Sequence, residues 1–377
     1  MASTLNPPPL ECNCCQRQFD VRELAWRCPC GGLLDVAATW QPIPIPDDPI
    51  PNDPVPNDGD TSLWRYQSVL PIERNASISL GEGGTPTVRS RTLPGINLKL
   101  EFLSPTSSFK DRGAVVLATL AASIGVESAL VDSSGNAGLA AAAYFGRAGI
   151  PCEVMVPAST SPTKVAQIGA YGATVTVIPG TRADTSAAAV RRADSGGIFY
   201  ASHVYHPYFL HGVKTYGYEV WERNDRTLPS AVIVPVGNGT MLLGCYLAFT
   251  ELVTAGLADR LPAIVAVQAQ NCAPLAAAFG NDADDISPGA VGATVAEGIA
   301  ISEPPRAKQV LAAIRATGGS IMTVSDDEIL RARTQLALEG LFVEPTASVC
   351  FAAAMSRRST LAEDDVVVAL CGAGSRG

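Results

Sequence analysis

The sequence predicts an α/β protein with mostly parallel sheets. Short apolar runs rich in β-branched residues alternate with alanine-rich helical stretches, and glycine- or serine-rich loops stand where a run ends and a helix begins. Residues 129–131, 152–156, 174–178 and 198–201 read as strands, with helices over 164–169 and 186–193 between them. Residues 231–236, 264–268, 320–324 and 366–370 supply the later strands, and Ser325 with Glu328 forms a capping box for the helix that follows. At 377 residues the chain exceeds what one core usually holds, so two domains and a small appendage are expected. Hydrophobic residues make up 47% and charged residues 17%, the balance of a well-buried globular enzyme.

The appendage comes first. Cys12, Cys14, Cys15, Cys28 and Cys30 crowd into Glu-Cys-Asn-Cys-Cys and Arg-Cys-Pro-Cys-Gly-Gly. Two turns of closely spaced thiols across a short hairpin are how a zinc ribbon gathers four sulfurs, and Cys12, Cys15, Cys28 and Cys30 are the best ligand set. The second turn is Cys-x-Cys, one residue shorter than the usual Cys-x-x-Cys, so a reduced knuckle held by packing stands beside the zinc reading; disulfides fit least. Cys152, Cys245, Cys272 and Cys350 lie in apolar contexts and read as small core residues.

Seven prolines between Pro42 and Pro56 then mark an extended linker over 41–60, because proline fixes its own φ and donates no hydrogen bond. A net charge of -9 argues against nucleic acid and anionic membrane as partners. No basic start followed by an apolar core occurs in residues 1–10, and apolar stretches stop short of membrane-spanning length, which makes cytoplasm the default location. Any anionic ligand has to be met by local loops.

Three loops do suit such ligands. Ser108-Phe109-Lys110-Asp111-Arg112-Gly113 puts one lysine between an aromatic and a charged pair, after the strand-like 97–102 and before the helical 113–123. A lysine held beside apolar or cationic groups has a lowered pKa and can form a Schiff base. Asp132-Ser133-Ser134-Gly135-Asn136-Ala137-Gly138 opens a helix over 139–148 and suits a carboxylate. Gly237-Asn238-Gly239-Thr240 opens a helix over 241–252, where small residues let amides close around a phosphate. A lone lysine is usually a solvated charge and a lone glycine loop a tight turn; the three in this order form a specific signal.

With these motifs the chain resembles the fold type II pyridoxal-phosphate enzymes, a tryptophan synthase β-like fold, and within them the threonine synthases. Gly81-Glu82-Gly83-Gly84-Thr85-Pro86, Lys214-Thr215, Ala296-Glu297-Gly298-Ile299, Glu344-Pro345-Thr346-Ala347 and Cys371-Gly372-Ala373-Gly374 follow in family order. The resemblance implies that Lys110 holds the cofactor aldehyde beside Phe109, that Asn136 bonds the ring 3'-oxygen, and that amides around Ser133, Ser134, Gly135 and Ala137 take the substrate carboxylate. It assigns the cofactor phosphate to Gly237, Asn238, Gly239 and Thr240, and places Cys371 as a neutral partner of the pyridine nitrogen. It further implies a larger domain over 61–100 and 203–377, a smaller mobile one over 101–202, a cleft between them, an N-terminal zinc-ribbon-like element over 1–40, and a homodimer. The reaction implied is conversion of O-phosphohomoserine and water to threonine and phosphate. Elimination or replacement on another activated amino acid is the alternative, as in cysteate synthesis or serine and threonine deamination. Two positions depart from the pattern, Ser107 where glycine is common and His211 where glutamate is usual. His203 and His206, in the aromatic stretch 200–209, read as packing residues.

Overall fold

A computed structural model describes residues 6–38, 61–287, 289, 291–357 and 365–374. The proline-rich linker expected over 41–60 lies outside the described residues. The chain forms two compact units, one from Met1–Gly83 with Lys110–Gly212 and the other from Gly84–Phe109 with Val213–Gly377. Residues 61–83, expected with the larger domain, thus fall in the first unit. Glu82, fully buried, accepts bonds from Trp64 Nε1 at 2.8 Å and Tyr144 Oη at 3.0 Å, and that network ties the segment to the unit's own helices.

The first unit is built on a four-stranded parallel sheet in the order Thr174–Ile178, Cys152–Pro157, Ala129–Val131, Phe199–Tyr200. The strand Ala129–Val131 is buried along its whole length, as both faces of a parallel sheet demand. Successive connections run outwards from it in one direction, and then Phe199–Tyr200 returns to its other side. The loops after Ala129–Val131 and after Phe199–Tyr200 therefore flank a topological switch point, the usual ligand site of an open parallel sheet. The cysteine-rich appendage forms a three-stranded antiparallel sheet of Leu10–Cys12, Gln18–Phe19 and Leu34–Val36 in the same unit.

The second unit carries a six-stranded sheet in the order Ser320–Val324, Ala263–Ala269, Ala231–Pro235, Val366–Ala369, Ile96–Lys99, Thr87–Arg89. All pairings are parallel except the edge hairpin of Thr87–Arg89 with Ile96–Lys99. Here the switch point lies between Ala231–Pro235 and Val366–Ala369, so the loops beginning at Val236 and Leu370 leave adjacent strand ends. Two helices start three residues before the sequence reading has them: Lys110–Ser123 and Asn136–Arg147 include their polar openings. The first amides of a helix have no partner within it, so a polar first turn is as compatible with helix as with loop. Among the described residues no helix is long and apolar enough to cross a membrane.

Candidate active site

In the first unit, Lys110 is the first residue of its helix and is followed by the buried pair Asp111 and Arg112. Gly113 lies against the ring of Phe209, where an added Cβ would sit 2.5 Å from ring carbons, and a Cβ on Gly212 would meet the Arg112 carbonyl oxygen at 2.1 Å. Two glycines thus let the helix Pro207–Arg223 press on the first turn after Lys110. His211 beside them is buried. The same helix Lys110–Ser123 packs along Asn136–Arg147, the helix that the serine loop opens.

That loop starts from Asp132, which is buried and fixed on both carboxylate oxygens, by Tyr200 Oη at 2.8 Å and by Arg182 Nη1 at 2.9 Å. Ser133 Oγ accepts from the Gly135 amide at 3.3 Å, and a Cβ on Gly138 would collide with the Ser133 carbonyl oxygen at 1.9 Å, so the turn closes only with glycine there. Gly135 caps the helix without a side-chain hydrogen bond. Ser133, Ser134, Gly135, Asn136 and Ala137 therefore present the positive end of a helix that no side chain of its own has neutralised, which suits a carboxylate.

His203 follows the neighbouring strand end, and the sequence assigns it packing alone. Its ring stands edge-on to Phe209 at 6.0 Å between centroids, and Nδ1 is buried without a hydrogen-bond partner. Burial, then the charges of Lys110 and Arg182, hold the imidazole well below the usual histidine range, so it is neutral at pH 7 and lies within the electrostatic reach of Lys110. Sequence offers no signal for this, nor for Asp132 as the anchor of the loop.

In the second unit, the glycine loop runs from the strand Ala231–Pro235 into the helix Thr240–Thr254. Gly239 has φ 83° and no side-chain cap, and a Cβ there would meet Val310 Cγ2 at 2.3 Å. A Cβ on Gly237 would stand 2.9 Å from Ile299 Cα. Thr346 Oγ1 accepts from the Gly298 amide at 3.1 Å. Three separated motifs, around Gly237, Gly298 and Thr346, thus form one close-packed backbone cradle.

Next to it in the sheet, Phe109 donates its amide to the Cys371 carbonyl at 3.1 Å, Ala373 donates to the Ser107 carbonyl at 3.0 Å, and Glu344 donates to the Gly372 carbonyl at 3.1 Å. The closing motif is therefore the clasp between the segment before Lys110 and the Glu-Pro-Thr-Ala motif. Cys371 is buried, with Sγ 3.9 Å from Glu344 Oε1. Ser107 has φ 65°, in the left-handed region where a Cβ is strained, which suits the glycine that the resemblance implies there. Ser107→Gly is expected to raise stability by about 1 kcal/mol, read as a higher denaturant midpoint at unchanged slope.

The knuckle brings its four predicted ligands together. Sγ atoms of Cys12, Cys15, Cys28 and Cys30 all lie within 4.8 Å of one another, with Cys12 to Cys30 at 3.5 Å and Cys15 to both Cys28 and Cys30 at 3.6 Å. Sulfurs around a tetrahedral zinc at Zn–S of about 2.3 Å stand roughly 3.8 Å apart, so the set fits such an ion. Gly31, at φ 87°, lets the shortened Cys-x-Cys turn close, and Gly32 leaves room for Cys12 Sγ, 2.5 Å from where its Cβ would be. Amides of Cys14 and Gly32 each donate to a ligand sulfur at 3.4 Å. Burial raises the Cys12 thiol, but backbone donors from Cys15 and Cys14 and the thiols of Cys30 and Cys28 outweigh it and bring it down to about 6. Cys28 is pushed up to about 12 despite a backbone donor from Cys30, by burial and the neighbouring thiols. A metal ion bound there would displace the thiol protons.

Comparison with known proteins fits these geometries. The chain belongs to the pyridoxal-phosphate dependent enzyme family, whose model matches residues 78–372. Its fold is of type II, and it is a pyridoxal-phosphate-dependent lyase of threonine synthase-like kind. It is 35% identical over 372 residues to a threonine synthase of Methanosarcina acetivorans, covering 96% of this chain and 90% of the relative. A threonine synthase of Methanocaldococcus jannaschii is also 35% identical, over 346 residues, 89% of this chain and 84% of that one. A crystal structure of a T.th. threonine deaminase superposes with a TM-score of 0.67 at 25% identity, over 78% of this chain and 93% of that one. In the second unit, the glycine cradle at a helix start without a side-chain cap fits the chemistry of the cofactor phosphate; in the first unit, a lysine that opens its helix fits the chemistry of the cofactor aldehyde.

Proposed function

We propose that this chain is a threonine synthase, converting O-phosphohomoserine and water to threonine and phosphate. The observation that carries the reading is the 35% identity to the threonine synthase of Methanosarcina acetivorans along 96% of the chain. Bound pyridoxal phosphate supplies an electron sink for charge at the substrate α-carbon. The chain's residues do the rest. Gly237, Asn238, Gly239 and Thr240 hold the cofactor phosphate, Asn136 the ring oxygen, and the neutral Cys371 thiol faces the ring nitrogen. Amides of Ser133, Ser134, Gly135 and Ala137 orient the substrate carboxylate. Lys110 takes a proton from the α-carbon and a second from the β-carbon, so that the γ-phosphate can leave; protons then return to the γ-carbon, which becomes the methyl group, and to the α-carbon as water adds at the β-carbon. The cysteine set holds one zinc ion.

The test is incubation with phosphohomoserine in deuterated water. Phosphate and threonine are expected in equal amounts, with solvent deuterium at the α-carbon and in the γ-methyl group of the product. Oxoacid and ammonia from threonine or serine would favour deamination, the activity named for the deaminase structure above. Turnover of phosphoserine with sulfite, phosphohomoserine being inert, would make the chain a β-replacement enzyme.

A further inference from the structure

The cysteine knuckle is not a separate ornament on the first unit. Trp26, two residues before Cys28, joins the hydrophobic core under the four-stranded sheet, packed against the cluster of Leu130, Met155, Ala189, Ala193, Ile198 and Tyr200. Its ring meets Tyr200 edge-on at 5.6 Å and Tyr205 at 5.0 Å, and its Nε1 donates to Asp194 at 2.9 Å. Tyr200 is buried, so its hydroxyl needs a partner, and that partner is Asp132 at 2.8 Å. Asp132 is the residue from which the serine loop springs. Within one unit, a path therefore runs from the sulfur cluster along the chain from Cys28 to Trp26, and from there by contacts through Tyr200 to the first residue of the loop.

We infer that Trp26 is a positioning residue for the serine loop, through which the state of the four-sulfur cluster sets how tightly an amino-acid carboxylate is held. The physical step is short. With the sulfurs held together, Cys28 fixes the end of the segment that carries Trp26. The indole then wedges Tyr200, whose hydroxyl bond keeps Asp132 and the backbone of Ser133 to Gly138 in the one conformation that its glycines allow. With the cluster open, the wedge is free to withdraw, Tyr200 gains room, and the loop amides lose their common aim. The inference rests on the reading of this loop as the carboxylate site.

The test is a double-mutant cycle on the holoenzyme, with L-serine and L-serinamide as probes and binding read from the visible absorbance. Trp26→Ala and Cys28→Ser are each expected to weaken L-serine about tenfold, the equivalent of one charge-assisted hydrogen bond, and to leave L-serinamide within about twofold. The combined variant is expected to be no weaker than the worse single one, because both changes release the same wedge. Trp26→Phe keeps an aromatic wedge and is expected to restore most of the affinity. If acid and amide weaken alike, or if the double variant multiplies the two single effects, the inference falls. Should Cys28→Ser not fold, alkylation of the exposed thiols in wild type and in Trp26→Ala closes the same cycle with the same two outcomes. A wild-type protein that does not prefer L-serine over its amide brings down the carboxylate assignment and this inference with it; one that does, with variants that still do, brings down the inference alone.

Discussion

Borohydride reduction in the presence of pyridoxal phosphate is expected to fix the cofactor on the peptide containing Lys110, and Lys110→Ala to lower turnover by about 10³- to 10⁴-fold. The structure makes this a discriminating experiment because the other lysines are distinguishable by surroundings. Lys99 is fully buried and bound to Glu219 at 2.7 Å, and Lys308 is 74% exposed. Lys164 is exposed on a surface helix. Lys214 is the informative competitor: burial lowers its pKa more than Glu251, at 2.7 Å, raises it. A buried amine already committed to a carboxylate is a poor nucleophile, whereas Lys110 opens a helix beside a neutral histidine. Label on Lys214, or undiminished turnover in Lys110→Ala, overturns the assignment.

What is legible in the sequence is the chemistry carried by neighbours in the chain. The helix-start lysine, the serine loop and the glycine loop each stand out because a strand end, small residues and a helix start must follow one another locally. The two switch points, by contrast, depend on strand order, and order is set by pairings across the chain. Ala231–Pro235 pairs with Val366–Ala369. The burial of Glu82 beneath Trp64 and Tyr144, and of Asp132 beneath Tyr200, is likewise a property of contacts between distant segments, which no local pattern announces. An aromatic stretch usually packs, which is the reading the sequence supports for His203; its ring does pack on Phe209, and the electrostatic reach to Lys110 comes from the turn of the chain above it. Ser107 stands out as a departure from a pattern, while the reason, a positive φ, is written in the backbone alone.

One zinc ion per chain is expected to co-purify with the protein, and Cys28→Ser to release it, with loss of up to about 10 to 16 kcal/mol of local folding free energy. The magnitude is an upper bound, because Trp26 also anchors the knuckle in the first unit's core. Its sheet has strands of three, two and three residues, and Cys14, Cys15 and Cys30 are exposed, so the apolar area it buries by itself is small. Four sulfurs within 4.8 Å of one another, three of their pairs at 3.5 to 3.6 Å and backbone amides already aimed at two of them, are arranged for an ion that replaces thiol protons and cross-links both turns. Metal analysis of the purified chain, with limited proteolysis of the Cys28→Ser variant, reads both effects. Rapid cleavage between Cys12 and Cys30 in the variant, alongside an intact Lys110 label, is the expected pattern, because Lys110 and its helix are held by Gly113 and Phe209 and by packing on Asn136–Arg147. A metal-free wild-type protein whose hairpin resists the protease would instead mean that Trp26 and its aromatic neighbours alone hold the knuckle.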